Sequence, residues 1–231
     1  PIQWIPKNPR WQNYVDIWTQ IPLLTFVKNT VKITVVVTLL QLFTSSFAAY
    51  AFAKMQFKGK NALFLGYIAT IAVPWQAYMV PQFMMMSSWH LNNTHLAIMC
   101  LQAFSAFGVF LMKQFSEGIP TEMLEAARID GASEAKTFID IVLPMVKPGI
   151  GALAIFTFIN SWNDYFMQLI MLSSTSNLTI SLGIAKLQAE NSTDFGLIMA
   201  GAALAAVPII IIFLIFQKYF TKGITMGAVK G

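Results

Sequence analysis

Asp164 is the one acidic side chain inside a long apolar run of this sequence, and Asn160, Ser161 and Asn163 stand within four residues of it. On a helix, residues 160 and 164 share a face and 161 lies close to it. A charge at the centre of a membrane span costs about 2.5 to 3.5 kcal/mol on insertion scales, so Asp164 must face protein or water. This polar band, with Trp162 and Tyr165 beside it, suits either of two tasks. Its amides and carboxylate can exchange hydrogen bonds with the hydroxyls of a solute while a ring stacks on it, or they can tie one helix to another. Bond-making chemistry has less to work with. No GxxxxGK[ST] phosphate loop occurs, so ATP has to be bound elsewhere. No Ser/His/Asp set or paired membrane carboxylates suggest catalysis. His90 and His95 have no carboxylate or thiolate neighbour and read as interfacial or solvated residues, with no metal site expected. The single cysteine, Cys100, excludes an internal disulfide and reads as a packing residue.

The elements that carry these residues follow from composition. Of 231 residues, 56% are hydrophobic and only 11% charged, with 19 Phe and 13 Met, and the mean hydropathy is +0.61. Soluble domains carry about 25% charged residues. The chain therefore reads as an all-α, polytopic integral membrane protein forming a single domain over residues 1–231. About 20 mainly apolar residues are needed per crossing, and five runs qualify: residues 33–52, 62–84, 96–112, 149–172 and 196–216. They are continuous and lack period-two alternation, which excludes a barrel. Pro74, Pro81 and Pro208 fall inside runs, where they shape the helix or break it as a hinge; shape is the preferred reading. Gly196 with Ala200, and Gly201 with Ala205, place small residues four apart, which favours close helix packing. Residues 1–26 hold Trp4, Trp11 and Trp18 among prolines and read as an irregular or interfacial segment with headgroup anchors. No cleavable signal is expected there.

Net charge is +5, but the cations are scattered, so topology explains them and no nucleic-acid partner is expected. One set of connections holds ten Lys/Arg (54, 58, 60, 113, 128, 136, 147, 218, 222 and 230) and the other five (7, 10, 28, 32 and 186). By the positive-inside rule the first set is cytoplasmic, the N-terminal end of this sequence outside and the C-terminal end inside.

One cytoplasmic connection, residues 120–148, is amphipathic. Thr121, Glu122, Glu125 and Arg128 share a helical face opposite Met123, Leu124, Ala126 and Ala127. Gly131 fits a left-handed helix end. Ser133 can cap a second helix, in which Ala135, Phe138, Ile139, Val142 and Leu143 share a face against Thr137 and Asp140. Pro144 and Pro148 stop it. Its mixed charges favour docking into protein over lying on lipid, where Lys and Arg would dominate.

In this hairpin EAARIDG, nine residues and then IVLP resemble the EAA signature of ABC importer permeases, with Glu125, Ala126, Ala127, Gly131, Ile141, Leu143 and Pro144 at the signature spacing. IPTEMLEAARIDGAS, FINSWNDYF (158–166) and YFTKGITMGAVKG resemble the carbohydrate-uptake branch, that of the smaller maltose-transporter subunit, over nearly the whole chain. The resemblance implies a type I ABC importer transmembrane domain with a cytoplasmic coupling helix, in a prokaryotic inner or plasma membrane. It makes Glu125, Ala126, Ala127, Arg128, Asp130, Gly131, Ala132, Leu143 and Pro144 the ATPase-coupling residues. It implies two cytoplasmic ATPase subunits holding ATP and Mg, no cofactor on this chain, a second, different permease subunit, and an extracellular or periplasmic solute-binding protein. Such subunits usually have six spans, so either a further span precedes Pro1 or this one is shorter. The external segment 173–194 then offers Thr175, Asn177, Lys186, Gln188 and Asn191 as binding-protein contacts, or it folds onto its own domain.

The function expected is translocation of a mono- or oligosaccharide by alternating access driven by a separate ATPase. Asn160, Trp162, Asn163, Asp164 and Tyr165 are the path candidates, or inter-helix contacts to the second permease. Polyols and glycerol phosphate are alternative solutes, although no Lys or Arg lies in the central part of a span. An ion-coupled transporter has Asp164 alone to support it, and a membrane-embedded enzyme has no residue set.

Overall fold

A computed structural model describes residues 9–190 and 194–228; Trp4, Lys7, Asn191 and Lys230 fall outside them. The described residues contain helices and no strand. The order begins with α1 (Asn13–Gln20), α2 (Leu23–Lys54), α3 (Lys60–Ala69), α4 (Met79–Ser88), α5 (His95–Leu101) and α6 (Ala106–Glu117). It continues with α7 (Thr121–Ile129), α8 (Glu134–Thr137), α9 (Leu143–Met145), α10 (Lys147–Asn163), α11 (Phe166–Met171), α12 (Ile180–Glu190) and α13 (Phe195–Ala228).

Among the described residues two helices, α2 and α13, are long and apolar enough to cross a membrane unbroken. The 32 residues of α2 reach about 48 Å at 1.5 Å per residue. It starts ten residues earlier than the run 33–52 suggests, because Pro22 sets its first turn and Phe26, Thr30 and Ile33 are buried along it. Within the described part of the tryptophan-rich start, residues 9–12 are irregular and helix α1 begins at Asn13. α1 buries Ile17 while Trp11 and Trp18 stay exposed. Its neighbour is α13, whose small residues allow the approach: a Cβ on Gly196 or Gly201 would stand 2.5 Å from Asn13 Nδ2 or 2.7 Å from Ile17 Cδ1.

The other apolar runs are interrupted. Residues 62–84 do not form one helix, since 3-10 turns at Thr70–Ala72 and Trp75–Ala77 flank Pro74 and separate α3 from α4. Here the proline breaks the helix and does more than shape it. α5 and α6 meet at a 46° bend, each begun by a capping hydroxyl, Thr94 accepting from Ala97 N–H at 3.3 Å and Ser105 from Gly108 N–H at 3.0 Å. Residues 149–172 divide at Asp164, which stands between α10 and α11 and accepts the Met167 N–H at 3.3 Å. Cys100 is exposed, contrary to a packing role.

Two apolar clusters hold the helices. One gathers Ile17, Phe26, Ile33, Ile98, Trp162, Met171, Ile180 and Leu187. The other gathers Tyr50, Met112, Ile119, Leu124, Phe138, Val142 and Leu153. They lie toward opposite ends of α2. Meanwhile Leu39, Phe43, Leu65, Phe104 and Ile210 are more than half exposed, a surface suited to lipid or partner helices and not to water.

Candidate functional site

The three interruptions line one cleft of about 460 Å³. Trp75 and Gln76 come from the break after Pro74, Gln102 and Ser105 from the α5–α6 bend, and Asp164, Phe166 and Met167 from the α10–α11 break. Gln41 of α2 and Phe156, Thr157, Asn160 and Ser161 of α10 complete much of the wall. Irregular backbone at membrane depth is tolerated where it lines a cavity and its polar groups find partners, and those partners are present. Gln41 donates to the Gln102 carbonyl at 2.7 Å and accepts from the Thr157 hydroxyl at 3.0 Å. Gln102 donates to Asp164 Oδ2 at 2.7 Å, and Thr44 caps the Ala103 carbonyl at 2.9 Å. Ser161 Oγ is buried on this wall with no hydrogen-bond partner among the described residues.

Chemically the cleft offers amide, hydroxyl and carboxylate groups between aromatic rings, with no Lys, Arg or His among its lining residues. Such a surface suits an uncharged, hydroxyl-rich solute. Of the path candidates, Asn160 and Asp164 line it; Trp162, Asn163 and Tyr165 do not. Trp162 is buried, stacked on Phe158 with centroids 5.5 Å apart, and donates to the Ala205 carbonyl at 3.0 Å. It closes the α10–α13 interface. Tyr165 packs on Phe166 and the first core cluster, and Asn163, the last residue of α10, is exposed outside the cleft lining. Gln41, Gln76, Gln102 and Thr157 escaped the sequence reading. They sit singly on four separate elements, and only the interrupted helices could have signalled them.

The hairpin of residues 120–148 stands at the other end of α2 from the 173–190 segment. α7 ends in paired turn bonds about Gly131, whose φ is +79°: Gly131 N–H to the Arg128 carbonyl at 3.0 Å and Ala132 N–H to the Ala127 carbonyl at 2.9 Å. Ser133 Oγ then accepts the Lys136 N–H at 3.3 Å and starts α8. The burial differs from the expected faces. Only Leu124 of α7 is buried, while Met123 and Ala126 lie open. After α8 a π turn at Phe138–Val142 shifts the inner face to Thr137, Phe138 and Val142, leaving Ala135 and Ile139 outside. Leu143 packs on the second core cluster and Pro144 is exposed. The chain does not stop at Pro144 but continues as helix to Met145 before a 79° bend into α10.

Glu125, Ala126, Asp130 and Gly131 are exposed, and Ile129 is 86% exposed. Arg128 is engaged within the hairpin: its Nε meets Glu134 Oε1 at 2.7 Å. That pairing, and the Tyr50 hydroxyl bonded to Glu134 Oε2, hold the Glu134 carboxyl below its ordinary range and raise Arg128 further.

At the opposite end the 173–190 segment is folded onto its own domain. Asn93, at φ +56°, accepts the N–H groups of Ser173 and Ser174, both at 3.0 Å, on one side-chain oxygen. Its carbonyl takes the Asn177 amide at 2.6 Å. Asn29 donates to the carbonyls of Ser176 and Leu178 at 2.9 and 2.8 Å, and Thr30 Oγ accepts the Ile180 N–H at 2.9 Å. Asn177 is thus committed internally, and its carbonyl also meets Nε2 of the half-buried His95 at 2.9 Å. Thr175, Lys186 and Gln188 remain exposed.

Long apolar helices and interrupted ones around a polar cleft, with a bare hairpin at one end, define a membrane-embedded transport subunit. Residues 41–226 match the family of binding-protein-dependent transport system inner membrane components, and the chain belongs to it. It is a multi-pass membrane subunit. It is 36% identical over 98% of its length, and 81% of the relative's, to the arabinooligosaccharides transport system permease protein AraQ of Halalkalibacterium halodurans. The lactose transport system permease protein LacG of Rhizobium radiobacter is 34% identical, with 95% of this chain and 80% of the relative covered. The melibiose/raffinose/stachyose import permease protein MelC of Bacillus subtilis is 34% identical, covering 99% and 84%. Among solved structures, a bacterial ABC transporter involved in import of the acidic polysaccharide alginate superposes with a TM-score of 0.82 at 23% identity, over 94% of this chain and 81% of that one. That likeness supports the fold.

Proposed function

We propose that this chain is the permease subunit of an ATP-driven importer that passes an uncharged mono- or oligosaccharide into the cell through the cleft at Gln41, Gln102 and Asp164. The observation that carries the reading is the convergence of three helix interruptions on one polar wall without a cation. The relatives named for arabinooligosaccharides, lactose and raffinose support the solute class. The exposed Glu125, Ala126, Asp130 and Gly131 form the contact with one of two cytoplasmic ATPase subunits, which carry ATP and Mg, and a second permease supplies the facing wall. The Lys/Arg distribution supports a cytoplasmic hairpin. Thr175, Lys186 and Gln188 then face the solute-binding protein from outside. Closure of the ATPases draws the hairpins together and opens the path outward; hydrolysis resets it.

The test is uptake of labelled arabinotriose, lactose and raffinose by the complete transporter in proteoliposomes. Asp164→Asn keeps an acceptor for Gln102 and is expected to retain most uptake, while Gln102→Ala lowers it about ten-fold by releasing Asp164, the residue-102 backbone carbonyl still holding Gln41. Glu125→Ala is expected to leave stability within about 0.5 kcal/mol of wild type and to weaken ATPase capture. Uptake that persists without ATPase subunits and collapses with the proton gradient would overturn the reading.

A further inference from the structure

The hairpin has little to hold it in place. Leu124 is the buried residue of its first arm, and beyond the turn at Gly131 its charges reach solvent, the Glu134 side chain at 43% exposure included. The Glu134 carboxylate joins three elements: its own α8, Arg128 of α7 through Nε at 2.7 Å and Nη2 at 3.4 Å, and Tyr50 of α2 through the phenol hydroxyl. Tyr50 is 1% exposed, and its ring leans on Phe138 with centroids 5.6 Å apart. Phe138 in turn sits edge-on to Phe47 at 5.7 Å and 88°. A charge-assisted hydrogen bond from a buried, fixed phenol is directional as well as favourable, so Glu134 has one position relative to α2.

The same helix carries Gln41, nine residues before Tyr50 and about 13.5 Å away along the axis. Gln41 holds the Gln102 carbonyl and the Thr157 hydroxyl at the cleft. No break interrupts α2 between them. A displacement of the hairpin is therefore delivered to the cleft wall through one rigid rod, provided that the hairpin cannot slip on its end.

We propose that Tyr50 is a positioning residue for energy coupling: its hydroxyl, through Glu134 and Arg128, ties both arms of the hairpin to the helix that carries Gln41, so that hairpin and cleft move together. This rests on the coupling role proposed above for the hairpin. Phe138 packing alone would keep the hairpin near α2 without fixing its rotation.

Tyr50→Phe removes one oxygen and keeps the ring on Phe138. In the complete transporter, reconstituted with arabinotriose, lactose and raffinose as probes, it is expected to assemble normally and hydrolyse ATP. The sugar moved per ATP falls about five- to ten-fold, the worth of one ordinary net hydrogen bond to a part-exposed carboxylate. Amide exchange over residues 121–137 accelerates by a similar factor. Glu134→Ala gives the same fall, the double variant Y50F/E134A no further fall, and Glu134→Gln, which keeps an acceptor for the phenol, a smaller one. A wild-type transport ratio and exchange rate in Y50F, additive losses in the double variant, or equal losses in E134Q and E134A would each overturn the tie. Absence of ATP-dependent uptake of all three sugars by the wild type counts instead against the coupling reading; the exchange measurement then still decides whether Tyr50 holds the hairpin.

Discussion

The two ends of α2 each carry a polar segment, and the chain finishes them in opposite ways. At the Asn29 end, side chains from α2, the α4–α5 turn and the 173–180 stretch exchange hydrogen bonds until their backbone groups are largely used up. At the Tyr50 end, the hairpin satisfies its own turn and leaves Glu125, Asp130 and Ile129 in the open. In the sequence the hairpin read as a docking surface, and the external segment as either a docking surface or a loop folded onto its own domain. Internal bonding leaves the first end exposed side chains such as Thr175 and Gln188 but little free backbone, whereas the hairpin presents open charges and an exposed apolar tip.

The contrast can be broken most severely at Gly183, where a Cβ would lie 2.2 Å from Phe26 Cδ2. Gly183→Leu forces α12 off α2 and is expected to cost about 3 kcal/mol or more, read as loss of folded subunit in detergent melts. Asn93→Ala strands two amide donors and places alanine at a positive φ; about 2 kcal/mol is expected, with faster amide exchange confined to residues 173–180. At the other end Gly131→Ala meets open space but keeps φ at +79°. About 1 kcal/mol of strain is expected there, without a packing defect and with a larger effect on ATPase capture than on melting.

The smallest effect concerns pH. Arg128 first, then Tyr50, lowers the Glu134 carboxyl in the folded chain below its ordinary value of 4.5. The contribution is therefore complete above that value and is lost as the pH falls through the lowered one. Protease sensitivity of the hairpin is expected to be flat from pH 7 to 5 and to rise only below the ordinary carboxylate range. Glu134→Gln removes that rise.

Some of this was legible residue by residue. Gly131 declared its turn because few residues accept a positive φ, and Ser133 its cap because a hydroxyl before a polar turn has one use there. Asp164 and Asn160 marked the cleft through the cost of burying them in lipid. Trp162 misled for a physical reason: an indole stacks equally well on a ring in the core as on a solute, and only the Ala205 carbonyl opposite its N–H decided between them. The inner face of α8 misled because a π turn adds a residue to the period.

The sequence by itself determined that the chain is helical, that it lives in a membrane, and that residues 120–148 form a polar hairpin between apolar runs. Composition and period carry that information, and both are local. The tertiary structure decided which helices break, and that the breaks at Pro74, Gln102 and Asp164 open onto one cleft. It also decided that Asn93 closes one end of α2 while Glu134 binds the other to the hairpin. Those partners lie about 80 residues apart in the sequence, and only the packing of the helices brings them within hydrogen-bond reach.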